Sequence, residues 1–279
     1  MAVLDFILNC ACLLLWLNWR SRGLAGVPRA PGIALVGTLR RAGSASRDRW
    51  SSPAVLAVVL FVRAFLYWQA GTTARWMPQI SFSGVVLHFR PDHFTRMLVF
   101  SLLGFLRVLA GFYFSLLLLA ALNRPGAAGS WNALVRAHLG FLGRAPAWLG
   151  VLLPFALTFL FWLIAGPLLA VLQVHLPAVS FAHLCVQAAI IGLEGWMPWP
   201  FVLAAILLLH IVSSYVYLGN APFWNFINAT AQQLLKPFQI LPLRLGKVDL
   251  APVMALALLV IVVVFVPAGL VSLYQALAA

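Results

Sequence analysis

Along this chain the polar residues are confined to short stretches between long apolar runs. A spanning helix needs roughly 20 predominantly apolar residues, within about 17–25. Six runs approach that length: residues 3–19, 53–68, 97–122, 147–171, 199–218 and 251–273. A seventh, residues 181–193, is short for a span, holds His183 and Gln187 and runs into Glu194. That suits an interfacial or re-entrant segment. Six spans put both termini on the same side.

The connections carry a pattern of their own. After the fifth run, Phe223, Ile227, Leu234 and Phe238 recur near helical spacing, while Asn228, Gln232, Gln233 and Lys236 take other faces. After the third run, Trp131, Asn132, Leu134, Val135, Leu139 and Leu142 repeat the pattern, with Asn132, Arg136 and Arg144 on the polar side. The first connection is a degenerate version, Ile33, Val36 and Leu39 preceding Arg40 and Arg41. Such amphipathic segments are too polar to span and are expected in the interface plane. The predicted fold is therefore an all-α integral membrane protein. About six transmembrane helices form three helical hairpins, each with an in-plane amphipathic cytoplasmic segment, in a single membrane domain over residues 1–279. Residues 1–70 form a degenerate first repeat, 97–173 a second and 199–277 a third. Two shorter outer segments with a shared opening, Ser81-Phe82 and Ser180-Phe181, join the repeats.

Composition decides the solvent. Hydrophobic residues make up 64% of the chain and charged residues 8%, with a mean hydropathy of +1.02, against about 25% charged residues in a soluble domain. The charge decides orientation. Of 18 basic residues, 13 fall in the connections after the first, third and fifth runs. The connection after the second holds Arg75, Arg90 and Arg96, and the one after the fourth holds none. Flanking positive charge stays on the cytoplasmic side, so both termini are expected outside. The net charge of +13 then reflects topology and contact with anionic lipid, each basic residue near the membrane gaining about 1 kcal/mol; nucleic acid is not an expected partner. The N-terminus lacks the basic region and cleavage site of a signal peptide, so the first span is expected to stay attached. Cys10, Cys12 and Cys185 lie in or beside apolar segments as small hydrophobes.

Three groups of residues are candidates for chemistry. Arg63 and Arg107 lie inside predicted spans, where a central Arg costs about 2.5–3.5 kcal/mol on insertion scales. Each either snorkels or finds a carbonyl, or forms a site for an anion or lipid headgroup; His210, midway along the fifth span, is a candidate partner. His88, Asp92 and His93 cluster near Arg90 and Arg96, but their spacing matches no zinc signature. Five acidic residues in the whole chain argue against a membrane hydrolase, which needs carboxylates for acid–base or metal chemistry. No catalytic residue, metal or cofactor is predicted.

The third group closes the last connection, Leu241-Pro242-Leu243-Arg244-Leu245-Gly246-Lys247-Val248-Asp249-Leu250-Ala251-Pro252, ahead of a long apolar run. Pro252 in the first turn of a helix sacrifices no hydrogen bond. Asp249 before it can accept orphan N–H groups, face the positive end of the helix dipole, or pair with Lys247 or Arg244. Together with Asn225, Leu235, Lys236 and Pro237 upstream, this stretch resembles the YggT (YlmG-like) family of small bacterial membrane proteins, which has relatives in plastids. Gly246, Asp249 and Pro252 stand at the family's motif positions, with Ala251 where the family often has Ser. The likeness is good over about residues 199–277, partial over 97–171, and reduced to Ser52 and Pro53 near the N-terminus. It implies a multi-pass protein of the bacterial inner membrane, non-enzymatic, acting as a scaffold or assembly factor in envelope organisation or osmotic tolerance. Its expected partners are anionic membrane lipids and other membrane proteins or a second copy. The alternative is a small transporter or channel for an ion or osmolyte, with Arg63 and Arg107 lining the path. Interrupted helices would favour transport, but the expected interruptions fall between spans.

Overall fold

In hydrocarbon every backbone N–H and C=O needs a partner inside the protein, so long apolar runs become helices. The computed structural model describes residues 2–22, 51–74, 76–82, 84–123, 130–216, 219, 221–240, 244–245 and 248–278. Among these, six stretches are long and apolar enough to cross a membrane: Val3–Ser21, Ser51–Gly71, Phe94–Leu122, Ala147–Val171, Phe181–Tyr215 and Ala251–Leu277. The chain is a multi-pass, predominantly helical membrane protein.

Helices α1 (Ala2–Arg22), α2 (Ser51–Ala74) and α3 (Phe94–Leu122) pack together. Cys12 of α1 packs with Leu56 and Leu60 of α2 and Phe105 of α3, while Asp5 meets Arg63 and Tyr67. Rising numbers on α1 thus meet falling numbers on α2, so these two are antiparallel. Trp16 Nε1 donates to Tyr113 Oη at 3.1 Å and ties the far end of α1 to α3. Ser101 Oγ donates to the Leu60 carbonyl at 2.9 Å, fixing α2 on α3.

The amphipathic connections form α4 (Ser130–Leu139) and α8 (Pro222–Leu235), each running straight into a 3-10 helix, Gly140–Arg144 and Lys236–Ile240 respectively. The two touch each other: the Trp131 and Phe223 rings lie 5.4 Å apart, and Asn123 Nδ2, just past the end of α3, donates to Thr230 Oγ1 at 3.0 Å. Their apolar faces are already occupied. Val135 and Leu139 pack on Phe114 and Leu117, and Ile227, Ala231 and Leu235 pack on Ile206, Leu207, Ala251 and Ala255. The expected segment at Ile33, Val36 and Leu39 lies outside the described residues.

Helix α5 (Ala147–Val171) is followed by α6 (Phe181–Glu194) and α7 (Pro198–Tyr215). The short segment at 181–193 is not a separate interfacial piece. It lies along α5 in antiparallel contact, Leu184 against Gly166, Gly192 against Phe155 and Gly195 against Pro154, and with α7 it makes the single apolar stretch Phe181–Tyr215. The break between them is tight: Gly195, Trp196 and Met197 N–H groups bond to the carbonyls of Gly192, Leu193 and Glu194 in 3-10 fashion. Pro198, with no N–H to give, starts α7. An interruption therefore falls inside a stretch long and apolar enough to cross a membrane, where the sequence suggested a short separate segment and then a span. Helix α9 (Ala251–Ala278) closes the bundle, with its first turn against α7 and α8 and Tyr274 beside His183 of α6.

The all-α expectation is amended by antiparallel strands. Short β3 (Arg244–Leu245) and β4 (Val248–Asp249) pair just before α9. Between α2 and α3, strands β1 (Gln79–Phe82) and β2 (Val85–His88) form a hairpin with Ile80 opposite Leu87 and Phe82 opposite Val85. This hairpin is no surface loop. Ile80, Val85 and Leu87 are buried with Phe100, Trp162 and Ile191 of the surrounding helices, and Phe82 near its tip packs 5.8 Å from the Trp162 ring. Non-helical backbone at such depth is tolerated because pairing and protein cover satisfy its polar groups. The shared opening Ser81-Phe82 and Ser180-Phe181 does not mark matching structures, since the first lies on β1 and the second caps α6.

Candidate functional site

Arg63 and Arg107 both sit at the centre of their helices, the thirteenth of 24 residues in α2 and the fourteenth of 29 in α3. At 1.5 Å rise per residue each is roughly 17–23 Å from its helix ends. Their surroundings are opposite.

Arg63 is closed in. It is 1% exposed, its Nη1 donates to Asn9 Oδ1 at 2.7 Å, and its Nη2 forms an ion pair and hydrogen bond with Asp5 Oδ1. Tyr67 Oη donates to the same Asp5 oxygen at 2.9 Å. The guanidinium also lies over the rings of Tyr67 and Phe100, and Gly104 makes room, because a Cβ there would stand 3.0 Å from Nη2. A cation in this setting neither snorkels nor lines a path; it is neutralised inside the bundle. Asp5 and Asn9 were not singled out in the sequence, although their four-residue spacing puts them on one face of α1.

Arg107 is open. Its side chain is 51% exposed. Nη1 donates to the Ser81 carbonyl at the end of β1, 3.2 Å away, and the guanidinium lies 5.3 Å over the Phe82 ring. Nη2 is 4.0 Å from Glu194 Oε1, at the last residue of α6, where the half-helix presents its negative dipole end. Three features thus converge at the centre of α3: the tip of the hairpin, the break between α6 and α7 and a half-exposed arginine side chain.

A second polar layer supports the hairpin tip. Gln187 Nε2 donates to Tyr274 Oη at 3.1 Å and meets His183 Nε2 at 3.1 Å; Trp162 Nε1 donates to Gln187 Oε1 at 3.4 Å. Gly84 sits directly against the Tyr274 ring. These groups satisfy one another within α5, α6 and α9.

His210 is not a partner of either arginine. Its Nδ1 is 2.8 Å from Asn228 Oδ1, which also accepts from Ser213 Oγ at 2.7 Å, so this cluster ties α7 to α8. Among the motif residues, Asn225, Lys236 and Pro237 are exposed along α8 and its 3-10 extension, and Pro252 is buried in the first turn of α9. Gly246 and Lys247 lie outside the described residues, and for Asp249 the backbone pairs with Arg244, so the cap assigned to its side chain falls outside the description.

At the end where α3 starts, Asp92 accepts from Arg96 Nη1 through both oxygens at 2.8 Å, and Arg96 also reaches the Leu172 carbonyl and Gln173 Oε1. Desolvation pushes the Asp92 carboxyl up, but the hydrogen bonds and charge of Arg96 outweigh it and hold the group below its ordinary value. Among the described residues no three His, Cys, Asp or Glu side chains gather as metal ligands. Compared with protein-family profiles, with curated proteins and with solved structures, the chain gives no match.

Proposed function

We propose that this protein is a non-enzymatic scaffold or assembly factor of the bacterial inner membrane, of the kind its YggT-like motif implies, and that it engages a membrane partner at Arg107. The observation that carries this reading is the half-exposed guanidinium at the centre of α3. Charged groups within spans face the bundle interior, a partner or water, and here half of the side chain awaits cover. A transmembrane segment offering a carboxylate or carbonyl would complete the arginine's fork. Elsewhere, the exposed polar residues Asn225, Gln232 and Gln233 of α8 and Lys236 of its 3-10 extension suit contact with headgroups and cytoplasmic partners in the interface plane.

The break at residues 195–197 favours a second reading, a transporter for an ion or osmolyte, because transport sites are built where interrupted helices meet near the midplane. One experiment separates the two. A photocrosslinking residue is placed at Leu106, 42% exposed beside Arg107, in the full-length protein in cells. The scaffold reading expects a discrete protein adduct that Arg107→Gln abolishes. Absence of any protein adduct, with ion or osmolyte flux in proteoliposomes that Arg107→Gln stops, gives the site to transport.

A further inference from the structure

On the side where α3 ends and α5 begins, a cleft of about 190 Å3 opens between these helices and the 3-10 helix Gly140–Arg144. Its floor is largely apolar and includes the small residues Ala120, Ala121, Ala147 and Gly150, with Gly150 facing α3 near the Leu117 carbonyl and the Ala121 Cβ. Its rim is basic, formed by Arg136 and Arg144. Arg136 gives Nη1 to the Gly143 carbonyl at 2.7 Å and Nη2 to the Asn123 carbonyl at 2.8 Å. Those carbonyls hold the fork in place without cancelling its charge. No carboxylate of the described residues lies within 4.0 Å of either arginine.

The local fold makes this a built feature. A Cβ on Gly143 would stand 2.8 Å from the Arg136 carbonyl, so the 3-10 helix closes directly onto α4 and sets the guanidinium at the rim. Helix α5 begins at the same cleft after Pro146, without a side-chain cap, and adds the positive end of its dipole. A third cation, Arg20 of α1, reaches Gly140 of the same unit. Phe141 and Trp148, 81% and 62% exposed, flank the cleft as interfacial aromatics do.

Two arginines at the rim of a small-residue slot, Arg136 anchored by backbone carbonyls and Arg144 exposed, place positive charge over an apolar floor and suit a phosphate ester carrying an acyl chain. We propose that this cleft binds the phosphate of an anionic phospholipid, with Arg136 and Arg144 on the headgroup and the chain along Gly150 and Ala121. The proposal is independent of the Arg107 site.

The test is native mass spectrometry of the delipidated full-length protein, titrated separately with phosphatidylglycerol, phosphatidylcholine and inorganic phosphate. The wild type is expected to prefer phosphatidylglycerol, and binding weakens about fivefold for each arginine neutralised. Arg136→Gln removes two structural hydrogen bonds and can unfold the unit, so Arg144→Gln and Arg144→Glu, at an exposed side chain, keep the test open. Charge reversal is expected to weaken binding more than neutralisation. Equal binding of the two lipids by the wild type, or unchanged selectivity in Arg144→Glu, overturns the proposal. Binding of inorganic phosphate with the same arginine dependence and no lipid preference overturns the lipid assignment and makes the ligand a soluble phosphate.

Discussion

Arg63 in the middle of α2 is paired with Asp5 near the start of α1, across 58 residues of chain, and the arginine of this pair is buried while its carboxylate is 30% exposed. The pair, with Asn9 and Tyr67, is the polar fastening of the first helical hairpin. Removing one partner of a buried pair leaves an uncompensated charge and costs about 3–5 kcal/mol in soluble proteins, whereas replacing both by apolar groups can be neutral. Asp5→Ala and Arg63→Lys are therefore expected to lower the thermal unfolding temperature in detergent, the lysine because it lacks the planar fork that reaches Asp5 and Asn9 together. Asp5→Leu combined with Arg63→Met is expected to recover most of the loss. An unfolding temperature unmoved by Asp5→Ala would mean that the pair contributes nothing to the fold.

The hairpin tip offers a steric test. A Cβ on Gly84 would lie 2.5 Å from Cγ and 2.7 Å from Cβ of Tyr274, a clash with the stem of the side chain that rotation of the ring does not relieve. Gly84→Ala is expected to destabilise by about 1–3 kcal/mol, the usual cost of overpacking. Tyr274→Gly removes the Cβ and Cγ that the new methyl would meet, so the double variant should be more stable than the sum of the two single effects predicts. Additive losses in thermal unfolding would show that the tip does not rest on α9.

These two contacts also show what the sequence could disclose. Apolar run length marks the crossings directly, because the bilayer imposes it, and Arg63 and Arg107 stand out as charges within those runs. Asp5 does not. It lies near the start of the chain, and nothing periodic links it to a residue in the next helix. The hairpin at 79–88 escaped notice because four-residue strands of mixed polarity resemble a loop unless the surrounding protein is known. The joining of α6 to α7 was hidden by Pro198 and Pro200, which look like the start of a new span but here form the second half of a broken one. The amphipathic faces of α4 and α8 were legible as stripes. What lies against them was not, since a stripe gives no sign whether lipid or a neighbouring helix covers it.

The Asp92–Arg96 pair predicts a pH dependence with a definite sign. Asp92 is held below its ordinary value in the folded protein, so the unfolded chain binds the proton more tightly and the pair stabilises the fold above the unfolded carboxylate value of about 3.9. That contribution is lost as the pH falls through the depressed folded value. Asp92 is 48% exposed, and solvent screening limits the effect to about 1 kcal/mol or less. Thermal unfolding of the wild type is expected to exceed that of Asp92→Asn at neutral pH, to begin to converge with it below about pH 3.9, and to meet it once the pH is below the depressed folded value. A gap that persists or widens in acid would assign the difference to something other than this ionisation.

The crossing count gives the last prediction. If α6 and α7 form one crossing, the connections before α3 and after α5 share one side, and α4 and α8 share the other. In a protein whose Cys10, Cys12 and Cys185 are replaced, single cysteines are introduced by His93→Cys, Leu176→Cys, Phe141→Cys and Gln232→Cys, all at exposed positions. The concentration of basic residues around the second pair predicts that it faces the cytoplasm. An impermeant thiol reagent added outside intact spheroplasts should label positions 93 and 176 and reach 141 and 232 after lysis. Labelling of position 232 from outside while 141 stays shielded would mean that α6 and α7 cross separately. In that case Glu194 could not lie beside Arg107 at mid-depth, and the converging site around that arginine would have to be abandoned with the single crossing.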